Sequence, residues 1–456
     1  MATVAAPGLA HRPGTALRVA TGLVSHTLCS DTFVAGLDPT RTVTETFHAM
    51  PGIRLLMPLM RYHVDRARRE VRATVAGLFE SRAAYRPGMG CTLVSSGEAH
   101  AAPPASAPSP GDGAPRLRDI AGPAAVEPAD ERLRSALDRA FADPPGAPAR
   151  ATKAVVVVHD DRIVAERYAP GYGIDTPLLG WSMTKSVVNA LIGILVRQGR
   201  LSLAGPAPVP AWRDPSDPRH AITVEQLMRM TSGLALDETN NGFDPSSRML
   251  FTEPDMAGFA ERAALLAPPG TRYHYSSPST IILSRIIRDA VGGRAEDVVR
   301  FADRELFGPL GMRRVTLEFD GVGTPVGSSY MYATARDWAR FGLLYAHAGV
   351  VGGVRILPEG WVDYSASWTP GSRDGYGAGF FTNRGASEFG PLRIRGGMPP
   401  GSFFASGTQG QRIVVAPAER LVVVRLGRSQ DWETFDIRGL IRLVADANAV
   451  VNGPPR

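Results

Sequence analysis

Lysine is almost absent from this chain. Of 50 lysine and arginine residues, only Lys153 and Lys185 are lysine. Arginine keeps its proton in proteins, whereas burial and neighbouring charges can tune a lysine amine until it loses its proton. A chain that otherwise uses arginine, and yet keeps Lys185 directly before a long apolar segment, needs a side chain with a neutral form at that place.

Cysteine and histidine are also sparse. Cys29 and Cys91 are too few for a disulfide scaffold and too far apart for a metal motif, and they can pair if the protein is exported. The nine histidines are dispersed and form no His-Glu-x-x-His motif. We therefore expect neither a metal nor another cofactor.

Long apolar runs are missing too. No run reaches the roughly 18 residues of a membrane span. The N-terminus lacks a basic region followed by an apolar stretch and a cleavage site. The chain as written is expected in the cytoplasm, or in the periplasm if an upstream export signal is missing.

The formal charge of +6 permits an anionic partner, but most arginines are scattered and no aromatic-basic motif accompanies them. We expect a small-molecule substrate and no nucleic acid, and the sequence contains no indication of an oligomeric state. A length of 456 residues with 44% hydrophobic residues predicts a large catalytic domain with an appendage.

Ser182 lies three residues before Lys185, at the start of the apolar segment Ser182–Arg197. In a helix, side chains three residues apart share a face, so this hydroxyl and amine can meet as a nucleophile and its base. A segment that is apolar on nearly every side predicts a helix at the centre of a domain, and Gly199 marks its end. Ser182 then lies at the helix N-terminus, where free amides favour a developing oxyanion.

Composition divides the chain into three predicted segments. Residues 1–98 form an N-terminal appendage without a chemical motif. Residues 99–127 are rich in alanine, proline, glycine and serine, which is typical of an extended linker that need not pack. Residues 128–456 contain the chemical motifs and are predicted to be the catalytic domain.

Patterns near both ends of this domain predict its architecture. Two hairpins, over residues 154–168 and 411–425, and two flanking helices, over residues 131–142 and 434–448, have clear strand and helix periodicities. The fold class is therefore α/β in an α+β arrangement, with one antiparallel sheet built from both ends of the domain and flanked by helices. The region between them, about 181–365, forms a mostly helical subdomain.

Five short segments resemble, in the same order, the motifs of the class C beta-lactamase-like serine hydrolases, which have the penicillin-binding-protein fold. They are Ser182-Met-Thr-Lys185, Met230-Thr-Ser-Gly233, Tyr275-Ser-Ser277, the helix Thr334–Gly342 and the hairpin Gly407–Pro417. Within this family the chain is most similar to the branch of 6-aminohexanoate-dimer hydrolase and related esterases. The resemblance covers about residues 130–450 and implies a beta-lactamase/transpeptidase-like fold with the active site between sheet and helices.

Carried over by motif, the resemblance implies a role for each of three residues. Ser182 is the nucleophile, Lys185 is its base, and the Tyr275 hydroxyl relays the proton to the leaving group. Tyr275 also lies on a loop that leads into a helix, where functional side chains are often held. The implied activity is hydrolysis of a small ester or linear amide through an acyl-enzyme.

The chain departs from the beta-lactamase pattern at two places. The Tyr-x-Asn motif ends in Ser277, which removes the amide that contacts a beta-lactam side chain. The Lys-Thr-Gly strand falls, by an ungapped count, at Ser402–Phe404, where no cation is present. We expect an amide of the same strand, from Ala405 or a neighbour, to complete an oxyanion hole with that of Ser182.

These departures also predict the substrate. A beta-lactam or a peptidoglycan stem peptide carries a carboxylate, and a site without its polar partners discriminates against it. We expect Trp181, Phe403 and Phe404 to line an apolar cleft, with Ser277 as a further substrate contact.

Other interpretations of the sequence stay open. One is beta-lactamase or D-alanyl-D-alanine peptidase-like activity, and another is a non-catalytic penicillin-binding-like module. An alpha/beta-hydrolase requires Gly-x-Ser-x-Gly, whereas the segment Gly180–Thr184 ends in threonine.

Overall fold

The computed structural model describes residues 13–94, 114–143, 149–429 and 435–453. The expected linker residues 99–113 lie outside the described residues. Within these ranges the helices, in chain order, are α1 (Pro13–Phe33), α2 (Pro39–Thr42), α3 (Pro51–Leu56), α4 (Glu131–Phe141), α5 (Thr184–Arg197), α6 (Val224–Met228), α7 (Pro245–Thr252), α8 (Met256–Glu261), α9 (Ser277–Val291), α10 (Ala295–Ala302), α11 (Gly308–Leu310), α12 (Ala335–Ala346), α13 (Trp361–Ser365), α14 (Gly390–Arg395) and α15 (Phe435–Val451).

The strands of the same ranges, in chain order, are β1 (Met60–Asp65), β2 (Glu70–Val75), β3 (Leu78–Arg86), β4 (Gly90–Val94), β5 (Thr152–His159), β6 (Arg162–Tyr168), β7 (Leu178–Leu179), β8 (Val315–Leu317), β9 (Met331–Ala333), β10 (Val350–Val351), β11 (Val354–Arg355), β12 (Phe381–Thr382), β13 (Phe403–Gly407), β14 (Gln411–Ala416) and β15 (Leu421–Gly427). Short 3₁₀ and π-helical turns connect several of these elements.

The predicted sheet is present and joins the two ends of the catalytic domain. Its six strands follow the order β12-β13-β14-β15-β5-β6, and neighbouring strands are antiparallel. Helices α4 and α15 cover one face, while α5 and α12 pack on the other. The fold class expected from the sequence is therefore confirmed.

Local signals explain several of these elements. The turn between β5 and β6 places Asp160 and Asp161 at φ 49° and 63°, the conformation of a two-residue hairpin turn that aspartate tolerates. Thr334 begins α12 by accepting a hydrogen bond from the backbone amide of Asp337. The helix predicted to start at Ser182 begins as an α-helix only at Thr184, because Trp181–Met183 form a 3₁₀ turn.

Helix α5 lies at the centre of the domain. Its residues from Thr184 to Leu195 are all buried, as a helix that is apolar on nearly every side requires. It packs against α9 and against β13. The N-terminus of α5 therefore opens between the sheet and the helical region.

The N-terminal unit, residues 13–94, packs closely onto this domain. Helix α1 is buried continuously over residues 19–32, because one side packs against the four-stranded sheet β1-β2-β3-β4 and another against α7. Val19 and Leu23 belong to the same hydrophobic core as α5. A disulfide between Cys29 and Cys91 joins α1 to β4.

Buried charges complete this contact. Asp31 of α1 lies 2.7 Å from the guanidinium of Arg428, and both side chains are buried. Glu318, which is fully buried, accepts hydrogen bonds from the Ser30 hydroxyl and the Cys91 amide. Such groups are tolerated inside a protein only when they are paired.

The other lysine of the chain takes part in the same contact. Lys153 on β5 forms an ion pair with Glu45 at 3.0 Å. Its position is therefore explained by the contact between the two units.

Residues 114–127, the second part of the expected linker, are packed, contrary to the expectation. The carbonyls of Ile120 and Val126 accept hydrogen bonds from β6, which is the edge strand of the large sheet. Leu117 and Ile120 are buried. Edge strands are commonly covered in this way, because their unpaired backbone groups otherwise invite aggregation. The domain boundaries near residues 98 and 127 stay predictions.

Among the described residues, none of the helices combines the length and the apolar character that crossing a bilayer requires.

Candidate active site

Ser182 lies in a tight turn directly before α5. The preceding residue, Trp181, has φ +47°, a left-handed conformation that a bulky side chain rarely adopts. The turn is held by the Thr184 hydroxyl, which donates to the Trp181 carbonyl at 2.7 Å, and by the Trp181 indole, which donates to Gln409 at 3.2 Å. Backbone strain of this kind is kept at functional positions when the surroundings enforce it.

The Lys185 amine lies within hydrogen-bond distance of Ser182. Its Nζ is 2.9 Å from the Ser182 hydroxyl, 2.9 Å from the Ser277 hydroxyl and 3.1 Å from the Ser328 carbonyl. The side chain is 3% exposed. Burial lowers the pKa of Lys185 to about 8, against the opposing effect of the Glu238 carboxylate. A substantial fraction of the amine is therefore neutral in weakly alkaline solution.

Tyr275 faces the same two groups from the loop before α9. Its ring centre lies 4.8 Å from the Lys185 amine, and the nearby Ser182 side chain acts to lower its pKa, against the effect of burial. Burial, followed by the nearby Glu238 carboxylate, raises the pKa of Tyr275 well above its usual value. The phenol consequently keeps its proton and is available as a hydrogen-bond donor.

Glu238 is a charged site residue that the sequence analysis missed. Its carboxylate accepts a hydrogen bond from the backbone amide of Ser277, the first residue of α9. The Ser246 hydroxyl donates to the same carboxylate at 3.3 Å. No motif surrounds Glu238 in the sequence. Only the packing of its loop brings this residue to the site.

Strand β13 passes against the Ser182 turn at Gly407. A Cβ atom on Gly407 would lie 2.2 Å from the Gly180 carbonyl oxygen and 3.2 Å from the Ser182 amide nitrogen, so only glycine fits there. Ala405, predicted to supply the second oxyanion-hole amide, is buried in the core two residues earlier. The count was ungapped and ignored the 3₁₀ turn Thr408–Gly410 between β13 and β14.

The two phenylalanines predicted to line the cleft are core residues. Phe403 is fully buried and packs with Phe380 at 5.6 Å between ring centres. Phe404 is buried on the opposite face of the sheet, stacked on Phe381 at 5.5 Å. Side chains alternate between the faces of a strand, so neighbouring residues could not both face one cleft.

The other predicted substrate contacts are also placed differently. Ser277 is 1% exposed, and its hydroxyl contacts the Lys185 amine. Trp181 is half-buried, and its ring meets Tyr330 edge-on at 6.3 Å, on the side of the N-terminal unit.

Aromatic side chains nevertheless line the site, from segments that the sequence analysis did not single out. The ring of Tyr376 lies 5.5 Å from that of Tyr275, 5.9 Å from that of Tyr273 and 5.1 Å from that of Phe381. This cluster packs around the Tyr275 ring, and we call it the aromatic wall. Its members come from the loop before α9 and from residues around β12, which only the fold brings together.

No group of three or more metal-ligating side chains is present in the part of the chain that the structure describes. The arrangement of hydroxyl, amine and phenol has the components of acyl transfer, namely a nucleophile, a base within hydrogen-bond distance and a proton donor.

Comparison with known proteins agrees with this class. The beta-lactamase family model matches residues 137–447, so the chain belongs to the beta-lactamase family. A curated relative, the 6-aminohexanoate-dimer hydrolase of Paenarthrobacter ureafaciens, is 26% identical over 304 residues, which are 63% of this chain and 76% of that protein. The chain is thus a hydrolase of this family.

Solved structures show the same fold. A Bacillus anthracis protein described provisionally as a 6-aminohexanoate-dimer hydrolase has a TM-score of 0.58 and 22% identity, covering 75% of this chain and 88% of that one. A penicillin-binding protein homologue from Caulobacter crescentus has a TM-score of 0.55 and 21% identity, covering 73% and 100%.

Proposed function

We propose that this chain hydrolyses small esters or linear amides through an acyl-enzyme on Ser182. The observation that carries the proposal is the buried Lys185 amine, 2.9 Å from the Ser182 hydroxyl and with a pKa lowered to about 8. A base with a pKa near the working pH is the most effective proton acceptor.

The reaction starts when the neutral Lys185 amine takes the proton of Ser182 Oγ. The oxygen attacks the substrate carbonyl carbon, and the carbonyl oxygen becomes an oxyanion. In this proposal the Ser182 amide and an amide of β13 near Gly407 bind it, supported by the close approach of Gly407 to the Ser182 turn. The carbonyl re-forms, the bond to the leaving group breaks, and the Tyr275 hydroxyl gives that group a proton, which the Lys185 ammonium replaces.

Deacylation repeats these steps with water as the nucleophile. Water loses a proton to Lys185 and attacks the acyl carbon. The acid product then leaves when Ser182 Oγ takes back a proton. No cofactor is needed to balance either half-reaction.

The surroundings support a substrate without a carboxylate beside the scissile bond. Arg412 is the cation next to Gly407, but it is buried and donates to the Gly407 and Gln411 carbonyls at 2.8 Å each. The aromatic wall around Tyr376 is suited to a short acyl chain. A linear amide is also a candidate substrate, because the curated relative is named for hydrolysis of a 6-aminohexanoate dimer.

Covalent labelling tests the nucleophile. A fluorophosphonate probe should label the wild-type protein, and mass spectrometry should place the label on Ser182. The Ser182→Ala variant should not be labelled, and its turnover should fall roughly 10⁴- to 10⁶-fold. The control variant Ser216→Ala, at an exposed serine, should keep its labelling and its turnover. A folded Ser182→Ala variant with near-normal activity would end the proposal.

A substrate panel tests the specificity. We expect kcat/KM for a short p-nitrophenyl ester to exceed that for a chromogenic cephalosporin by several orders of magnitude. Equal values would favour the beta-lactamase alternative, and labelling without turnover of either would favour a penicillin-binding module.

A further inference from the structure

The N-terminal unit carries most of the net charge of the chain. Residues 51–94 contain eight arginines and three acidic residues, whereas the whole chain has a formal charge of +6. The proposed hydrolysis uses none of these residues. Their arrangement on the N-terminal sheet is therefore unexplained by the active site.

Three leucines lie close together at one end of this sheet and face solvent. Leu55, Leu59 and Leu78 are 78%, 54% and 63% exposed. The β2–β3 turn brings Leu59 and Leu78 near one another, because the Ala76 amide donates to the Leu59 carbonyl and Leu78 follows this turn. Leu55 lies four residues before Leu59, in α3. Single exposed leucines are ordinary, but a group at a protruding end indicates an interaction surface. We call these three residues the leucine tip.

A row of basic side chains lies on the outer face of the same sheet. His63 on β1 is paired with Arg72 on β2, and Arg72 is paired with Arg82 on β3. Arg61 is two residues before His63 and therefore shares its face. The opposite face of the sheet packs on α1, so this row faces outward; we call it the arginine row.

All three acidic side chains of residues 51–94 lie beside these cations. Glu70 is 4.0 Å from Arg72, and Asp65 is 4.0 Å from Arg68 in the β1–β2 turn. Glu80 lies on β3, two residues before Arg82. Eight arginines against these three carboxylates leave residues 51–94 with a net charge of +5 (8 − 3), so this segment as a whole keeps a positive potential.

We propose that the leucine tip and the arginine row dock this protein onto the surface of an anionic lipid bilayer. Leucine side chains gain free energy by entering the interfacial region, and arginines near the surface attract anionic headgroups. A soluble polyanion would use the arginines and gain nothing from the leucines. A second copy of the chain would bring two positive faces together.

Vesicle sedimentation of the full chain tests this proposal. The probe is a set of vesicles of phosphatidylcholine alone or with 30% phosphatidylglycerol. We expect the protein to pellet with the mixed vesicles at low salt, to pellet less at 0.5 M NaCl, and to stay in solution with phosphatidylcholine alone. Screening weakens charge attraction at high salt, while the leucine contribution persists.

Variants separate the two parts of the surface. Leu55→Ser with Leu78→Ser should reduce the partition coefficient at least tenfold. Arg72→Gln with Arg82→Gln should reduce it about 25-fold, from about 1 kcal/mol per arginine near the surface. The matched controls are Leu266→Ser and Arg213→Gln, two exposed residues of the catalytic domain that should leave binding unchanged. Unchanged ester hydrolysis in all variants shows that they are folded.

Three outcomes overturn the proposal. The first is no pelleting of the wild-type protein with phosphatidylglycerol vesicles. The second is binding that the leucine variants leave intact and that heparin abolishes, which identifies a soluble polyanion as the partner. The third is a dimer in analytical ultracentrifugation that the leucine variants dissociate, which identifies a second copy. Ester hydrolysis is measured separately, so failure here does not bear on the proposed catalytic mechanism.

Discussion

The Lys185 amine is held 2.9 Å from the hydroxyl of Ser277, the first residue of α9. The same amine is 2.9 Å from Ser182, at the entrance to α5. The base therefore bridges the N-termini of two helices, and the packing of α9 against α5 sets its distance to the nucleophile. Predictions about catalysis follow from this position.

Lys185→Arg should fold and be nearly inactive. Arginine keeps the positive charge but cannot accept the serine proton, so kcat/KM for an ester should fall by about 10²- to 10⁴-fold. Lys153→Arg, at the only other lysine, is the matched control and should retain activity. Substantial hydrolysis by the Lys185 variant would reduce this lysine to an electrostatic role.

The pH profile should report the same amine. Lys185 must be neutral to act as a base, so kcat/KM should rise with pH through about 8, the pKa to which burial lowers this group. Rates of ester hydrolysis between pH 6 and 10 measure this rising limb of the pH profile. A profile that is flat across this range contradicts the assignment.

Glu238→Gln should move that limb to lower pH. The Glu238 carboxylate opposes the effect of burial on Lys185, so removing its charge favours the neutral amine. Glutamine keeps an oxygen that can accept the hydrogen bond from the Ser277 amide. The other titratable group that faces Lys185 is the Tyr275 phenol, which stays neutral. Glu359→Gln, at an exposed site, is the control. An unmoved limb would show that Glu238 acts only through hydrogen bonding.

Tyr275→Phe should impair amide hydrolysis more than ester hydrolysis. A leaving nitrogen must be protonated before it departs, whereas the phenolate of an activated ester leaves without a proton. Tyr62→Phe on the N-terminal sheet serves as the control. Equal losses in kcat for both substrate types would contradict a relay role.

Asp31→Asn should destabilise the whole chain. Arg428 is buried, and removal of its nearest counter-charge should cost about 3–5 kcal/mol of the free energy of unfolding. The solvent-accessible pair Asp65 and Arg68, 4.0 Å apart, offers a contrast, since Asp65→Asn should leave the free energy of unfolding nearly unchanged. Denaturant titrations of both variants measure the difference.

Local chemistry made part of this site predictable. Ser182 and Lys185 are three residues apart, so helix periodicity makes them neighbours. The turn residues Asp160 and Asp161 made the hairpin that they connect predictable. Glu238 could not be predicted, because only the packing of a loop beside α9 brings it to the lysine. Strand β13 meets the Ser182 turn at Gly407, two residues after Ala405, and the 3₁₀ turn Thr408–Gly410 that follows shifts any count made back from β14.

The side chains that line the cleft were harder to predict from the sequence than the catalytic residues. The prediction that Phe403 and Phe404 line it rests on an ungapped count to the Lys-Thr-Gly strand and on their aromatic character, yet consecutive strand residues face opposite sides, and both sides of this sheet are covered. Tyr376 and Phe381 have no motif that connects them with Tyr275. Their proximity is a property of the tertiary fold.

The burial of α1 limits where the chain can be truncated. The beta-lactamase family model starts at residue 137, but a truncation near that point would expose Glu318 and Arg428 together with the apolar surface that α1 covers. A fragment chosen from family boundaries alone would present unpaired charges beside a hydrophobic patch and would aggregate. The smallest unit suitable for expression or transfer to another host therefore begins before α1, so the family boundary is not a folding boundary.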